Sequence, residues 1–138
     1  MGNAMSSTGL AKLLRSAPYF PVSDVARSTA YYLDVLGFQA EYAGGSEFAI
    51  VVRDGLPMML RRVSNEDLIV PSEKQGGTWD AFFWVSRVKD LYAELVSRGA
   101  VIVYGPLVQA EYQMLEFAVR DCDGHVLGFG ESLADEQT

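Results

Sequence analysis

Val22-Ser23-Asp24-Val25 opens a stretch that closes at Leu36-Gly37, and Val85-Ser86-Arg87-Val88 opens another that closes at Arg98-Gly99. Each glycine is followed by a short apolar run ending on tyrosine, Phe38 to Tyr42 and Ala100 to Tyr104. Further on, Glu47-Phe48-Ala49 leads to Val52-Arg53-Asp54-Gly55, and Glu116-Phe117-Ala118 leads to Val119-Arg120-Asp121. One supersecondary unit is used twice, slightly over sixty residues apart. Two copies do not make a solenoid, which needs three or more stacked repeats. They predict one pseudo-symmetric domain with something held between its halves.

The periodicity within each copy predicts its elements. Pro18 to Val22 reads as a short strand, and its prolines point to an edge or irregular position. Asp24 caps the helix that follows, whose apolar face is Val25, Thr29, Tyr32, Leu33 and Leu36. Gly37 ends it. Strands are expected over 38–42, 47–53 and 57–63, joined by hairpins at Gly44-Gly45 and Asp54-Gly55. In the second copy Trp79 to Val85 is a strand and Ser86 the expected cap. Val88, Leu91, Tyr92 and Leu95 form the buried helix stripe. Strands follow over 101–104, 113–120 and 126–130, the last two joined by a turn at Asp121-Cys122-Asp123-Gly124. The fold class is α+β: two tandem βαβββ modules forming a curved mixed sheet around a concave groove, helices outside.

The domain spans 17–131, with module one at 17–63, a turn-rich linker at 64–78 and module two at 79–131. Leu68-Ile69-Val70 is the linker segment expected to tuck against the body. Residues 1–16 form a leader with Leu10, Leu13 and Leu14 at helical spacing, either a short packed helix or a frayed end. Met5 reads as an alternative first residue. Residues 132–138 form an acidic tail.

The chain has 138 residues, which suits one core. A net charge of −7 argues against non-specific nucleic-acid binding, which needs cations to displace counterions, and leaves room for a cationic ligand. No apolar run approaches the ~20 residues of a membrane helix. The first residues lack the pattern of a secretory signal. The lone Cys122 permits no internal disulfide and fits a reducing cytoplasm. Its aspartate neighbours disfavour the thiolate, so it reads as a turn residue.

The stretch Val22 to Ser28, with Tyr31-Tyr32 and Val35 to Phe38, resembles the opening signature of the vicinal-oxygen-chelate superfamily. That superfamily contains glyoxalase I, extradiol dioxygenases, and the bleomycin and fosfomycin resistance proteins. Glu116 to Asp121 and Asp123 to Glu131 resemble its closing motif, with Cys122 in place of the proline of an Asp-Pro-Asp-Gly turn. The resemblance implies paired βαβββ modules and a homodimer.

It also implies where a divalent metal would be chelated. Counting from the motifs, the four ligand positions hold Ala17, Met59, Asp80 and Gly128. Only Asp80 can bind a hard cation, whereas a tight site needs three or four such ligands. His125, the sole histidine, reads as a turn residue. No metal and no other cofactor is therefore expected. Metal-free catalysis would need an acid and a base facing each other; Asp80, Glu116 and Arg61 are the candidates.

Strand alternation puts Asp80, Phe82 and Trp84 on one face. Tyr19, Met59 and Arg61 share the parity of the lost ligands in module one. With Glu116 these seven residues are the expected lining of an aromatic, apolar groove for a small aromatic or cationic molecule. The reading is a metal-independent small-molecule binding protein, similar to the drug-sequestering bleomycin-resistance branch. The alternatives are a metal-dependent lyase or dioxygenase with its ligands elsewhere, or a domain whose groove its own side chains close.

Overall fold

The computed structural model describes residues 9–134. The expectations for residues 1–8 and for the end of the acidic tail lie outside the described residues. The element order is β1 (Tyr19–Val22), α1 (Val25–Asp34), β2 (Gln39–Tyr42), β3 (Phe48–Arg53) and β4 (Leu56–Arg62). After two short 3-10 turns come β5 (Ala81–Trp84), α2 (Val88–Ser97), β6 (Val101–Gln109), β7 (Met114–Arg120) and β8 (Val126–Ser132). This is βαβββ twice. The modules form two four-stranded mixed sheets, β1-β4-β3-β2 and β5-β8-β7-β6, rather than one continuous sheet. In each, the first strand runs parallel to the last at the sheet edge. Pro21 therefore sits on an edge strand, where its missing N–H does least harm.

Alternation divides each sheet into two faces. Phe20, Val22, Ala49, Val51, Met58 and Leu60 of module one point to the same buried side as α1. Phe117, Val119, Leu127 and Phe129 of module two do so beside α2. These residues form one core shared by both modules. The other face of each sheet stays outside that core.

Reciprocal contacts join the modules. The β7–β8 turn inserts against α1. Asp123 accepts from the Ser28 hydroxyl at 2.6 Å and from Arg27 at 3.0 Å. Asp121 accepts from the buried Tyr32 hydroxyl at 2.6 Å. His125 is buried, with Nε2 donating to the Pro21 carbonyl at 2.8 Å and its ring against Phe20. It is thus a tie between the modules, not merely a turn residue. On the opposite side Arg53 of β3 forks onto Glu94 of α2 at 2.8 and 3.0 Å.

Asp24 caps α1 as expected, accepting from the Arg27 amide at 3.0 Å. Ser86 does not cap α2. The helix begins one residue later, after Arg87, and Glu131 of β8 takes the Val88 amide at 3.1 Å. A capping partner so distant in the chain leaves no local signal. Leu68 and Val70 of the linker are exposed rather than tucked in. Residues 9–16 contain no helix, and Leu10, Leu13 and Leu14 are exposed. No helix among the described residues is long and apolar enough to cross a membrane.

Candidate functional site

The outward face of module two carries a hollow of about 480 Å³ lined by Trp79, Phe82, Trp84, Tyr112 and Met114. Its floor is backbone because β8 carries glycine at residues 128 and 130. In module one, β1 pairs Tyr19 with Met59 and Pro21 with Arg61. In module two, β5 pairs Phe82 with Gly128 and Trp84 with Gly130. Glycines thus stand where module one keeps a methionine and an arginine. A Cβ at Gly128 would lie 2.6 Å from the Trp79 indole and 2.7 Å from Phe82. One at Gly130 would lie 2.6 Å from Met114 and 2.8 Å from Phe82. The rings rest on the bare backbone, and the space above them is open.

Behind this lining is a polar chain. The Trp79 indole N–H donates to the Tyr104 hydroxyl at 2.8 Å, and that hydroxyl donates to Glu116 Oε2. Glu116 is fully buried, and among the described residues no donor reaches its Oε1. Burial, then the bond to Glu116, pushes the Tyr104 phenol well up. Tyr112 lies beside the same carboxylate; desolvation and Glu116 push its phenol up to about 12. Both phenols therefore stay neutral near pH 7, and Tyr104 acts as the donor to Glu116.

Of the expected lining, the structure brings Phe82 and Trp84 together at the hollow, with Glu116 behind it. Phe82 and Trp84 meet edge to face with centroids 5.2 Å apart. Tyr19, Met59 and Arg61 lie on module one's own outward face and do not line this hollow. There the Arg61 guanidinium sits 5.1 Å over the Tyr19 ring, and Phe48 packs between Tyr19 and Tyr42. Asp80 does not line it either. Its two carboxylate oxygens accept from the Ser72 and Val126 amides, each at 2.8 Å. Trp79, Tyr112 and Met114 escaped the sequence reading. Trp79 has the wrong strand parity because it precedes β5, and Tyr112 lies in the turn before β7.

The four positions at which a metal would be expected do not fit one. Ala17 and Met59 offer no hard donor. Asp80 is spent on backbone amides, and the space at Gly128 is filled by Trp79 and Phe82. Among the described residues no three His, Cys, Asp or Glu side chains converge. Cys122 is half-buried, and burial together with the flanking aspartates pushes its thiol up to about 11. It is no nucleophile at neutral pH, and burial rather than charge is the larger reason.

A second cleft of about 640 Å³ lies between the modules, near the start of α2. It opens because the β3–β4 turn is only Asp54-Gly55, whereas the longer β7–β8 turn fills the matching place at α1. Its charged rim pairs with itself, Arg53 with Glu94 and Arg87 with Asp90.

Residues 17–129 match the Glyoxalase/Bleomycin resistance protein/Dioxygenase superfamily. The chain belongs to that superfamily. Among solved structures, this superfamily member is similar to TioX from Micromonospora sp. ML1. The identity is 24%, the match covers 88% of this chain and 100% of that one, and the TM-score is 0.67. It is also similar to the bleomycin-binding protein of bleomycin-producing Streptomyces verticillus, solved with copper(II)-bleomycin. There the identity is 19%, the coverage 91% and 100%, and the TM-score 0.64. A glyoxalase-related enzyme from Fulvimarina pelagi matches at 19% identity, 88% and 89% coverage and TM-score 0.63. At such identities the likeness shows the fold alone. No curated protein matches this chain.

Proposed function

We propose that this protein is a metal-independent binder of a small organic molecule, held in the aromatic hollow of module two, and that it sequesters its ligand rather than transforming it. The observation that carries this reading is the state of β8. Glycine at 128, one of the four expected ligand positions, and at 130 leaves bare backbone beneath a ring-lined cavity. A concave, mostly apolar site with few polar groups is the usual form of a small-molecule pocket. The bleomycin-binding neighbour, which shares the fold, supports binding of an organic guest of antibiotic type.

A homodimer is part of the proposal. Trp84 is 74% exposed and the hollow is open, while module one presents a second aromatic face of Tyr19, Phe48 and Tyr42. A second copy laying that face over the hollow would close it and bury both surfaces. Cytoplasmic residence is proposed from the single free thiol.

Two measurements on one preparation test the reading. Protein purified without chelator is assayed for zinc, nickel, manganese and iron, then titrated with flat aromatic compounds while tryptophan fluorescence is followed. Quenching with saturable binding in protein devoid of stoichiometric metal is the expected result. A stoichiometric metal would overturn this reading and favour the alternative, a metal-dependent lyase or dioxygenase with unrecognised ligands.

A further inference from the structure

We propose that the guest of the module-two hollow carries a fixed positive charge, and that the buried Glu116 selects for it. This rests on the hollow being a ligand site at all. The lining is an incomplete aromatic box of Trp79, Phe82, Trp84 and Tyr112, closed at one side by Met114. Ring faces attract a cation through their quadrupoles, more strongly when it is desolvated. Such a box alone gives a cation only a modest advantage, because the charge also loses hydration on entry. Glu116 enlarges that advantage.

The carboxylate is fully buried directly behind the lining. It is held by Tyr104, which Trp79 in turn fixes, and it lies beside Tyr112. Tyr104 satisfies only Oε2. Oε1 is buried without a donor among the described residues, which is expensive for an acceptor in a low-dielectric setting. No arginine or lysine lines the hollow. A cation above the rings would supply countercharge to a carboxylate buried behind the lining, where Coulomb attraction is screened less than in bulk water. The equivalent place in module one, paired with Arg61, is Phe48, whereas Glu116 pairs with Gly130. At this cross-strand pair module one sets Arg61 beside an apolar ring, whereas module two sets Glu116 beside a glycine, and Arg61 is already seated on Tyr19. The chain's charge of −7 draws cations toward the protein as a whole.

The class of guest that follows is an alkylated or aromatic ammonium small enough for about 480 Å³. The test uses phenyltrimethylammonium and its uncharged isostere tert-butylbenzene, compared by calorimetry and fluorescence on the full chain and on Glu116→Gln. The cation is expected to bind at least about tenfold more tightly than the isostere. Glu116→Gln should cut that preference severalfold, to what the rings alone provide, while leaving the isostere's affinity unchanged, which also shows that the pocket has stayed folded. Equal affinity of the two compounds for the parent protein overturns the cation proposal but leaves the pocket standing. A preference that survives Glu116→Gln undiminished overturns it as well. A Glu116→Gln variant that loses its oligomeric state but keeps the preference would mean that a protein cation, such as Arg61 of a second copy, pairs with Glu116. Binding of neither compound to the parent overturns both the proposal and the pocket.

Discussion

Gly128 lies directly beneath the Trp79 ring, so that a Cβ at residue 128 would fall 2.6 Å from both Cδ1 and Nε1 of the indole. The position at which the superfamily resemblance would seat a metal ligand has become a seat for an aromatic ring. Gly128→Ala should force Trp79 and Phe82 outward into the hollow. The expected cost is about 1–3 kcal/mol of stability, the usual range for overpacking. It should appear as a lower Tm together with a changed tryptophan emission and weaker ligand binding. Gly128→Glu should do the same without creating a cation site, because Ala17, Met59 and the committed Asp80 supply no partner ligands. A Gly128→Glu variant that binds zinc stoichiometrically would overturn this.

Asp80 is expected to behave as a structural residue. Its carboxylate joins the linker to the start of β8 by accepting the Ser72 and Val126 amides. Asp80→Ala removes both acceptors and leaves a part-buried amide at each end. A loss of about 1–3 kcal/mol follows for unsatisfied buried groups. Chemical denaturation checks it, and ligand affinity measured well below the unfolding transition should be unchanged.

The fold was legible because it rests on local periodicities repeated twice. Val25, Tyr32 and Leu36 mark one helix face, Val88 and Leu95 the other, and all five are buried. Asp24 as a cap and Gly37 as a helix end are signals carried by single residues. The site was less legible because it depends on contacts between distant residues. Phe82 and Trp84 could be placed by strand parity once β5 was found. Trp79 could not, since it lies outside that strand and is oriented by Tyr104, 25 residues away. The expected grouping of Tyr19, Met59 and Arg61 with Phe82 and Trp84 assumed two sheet faces turned toward one another. The modules instead join through their helix-bearing sides, and no local sequence feature records which faces meet. Even Cys122, whose inertness was foreseen, owes it mainly to burial against α1.

The Arg53–Glu94 fork should give stability a specific pH dependence. The hydrogen bond and charge of Arg53, helped by Arg98, hold the Glu94 carboxyl below its usual range. A folded-state value lower than the unfolded one means that the stabilisation is complete above the unfolded value, near 4.5, and is lost as pH falls through the folded one. Both partners are partly exposed, so only about 0.5–1 kcal/mol is expected. Glu94→Gln should lower stability by that amount at pH 7, and the difference from the parent should vanish toward pH 3. Urea denaturation at the two pH values reads it. A difference that persists at low pH would show that the residue acts through packing, not charge.

Trp84 and Tyr19 together decide whether one chain or two make the complete site. Trp84 is 74% exposed, so Trp84→Ala should leave Tm nearly unchanged. Binding of an aromatic ligand should nevertheless weaken by about 1–3 kcal/mol, the range for losing a central stacked aromatic. Tyr19 is 58% exposed on the other module and does not line the hollow. If a single chain held the ligand, Tyr19→Ala would leave affinity untouched. In the proposed homodimer the Tyr19 face of a second copy covers the hollow. Tyr19→Ala is then expected to weaken binding as well, and the parent's apparent affinity should fall when the protein is diluted below its dimerisation constant. Calorimetry on the two variants, with sedimentation across the same concentrations, separates these outcomes. Unchanged affinity in Tyr19→Ala, with no dependence on protein concentration, would confine the site to module two.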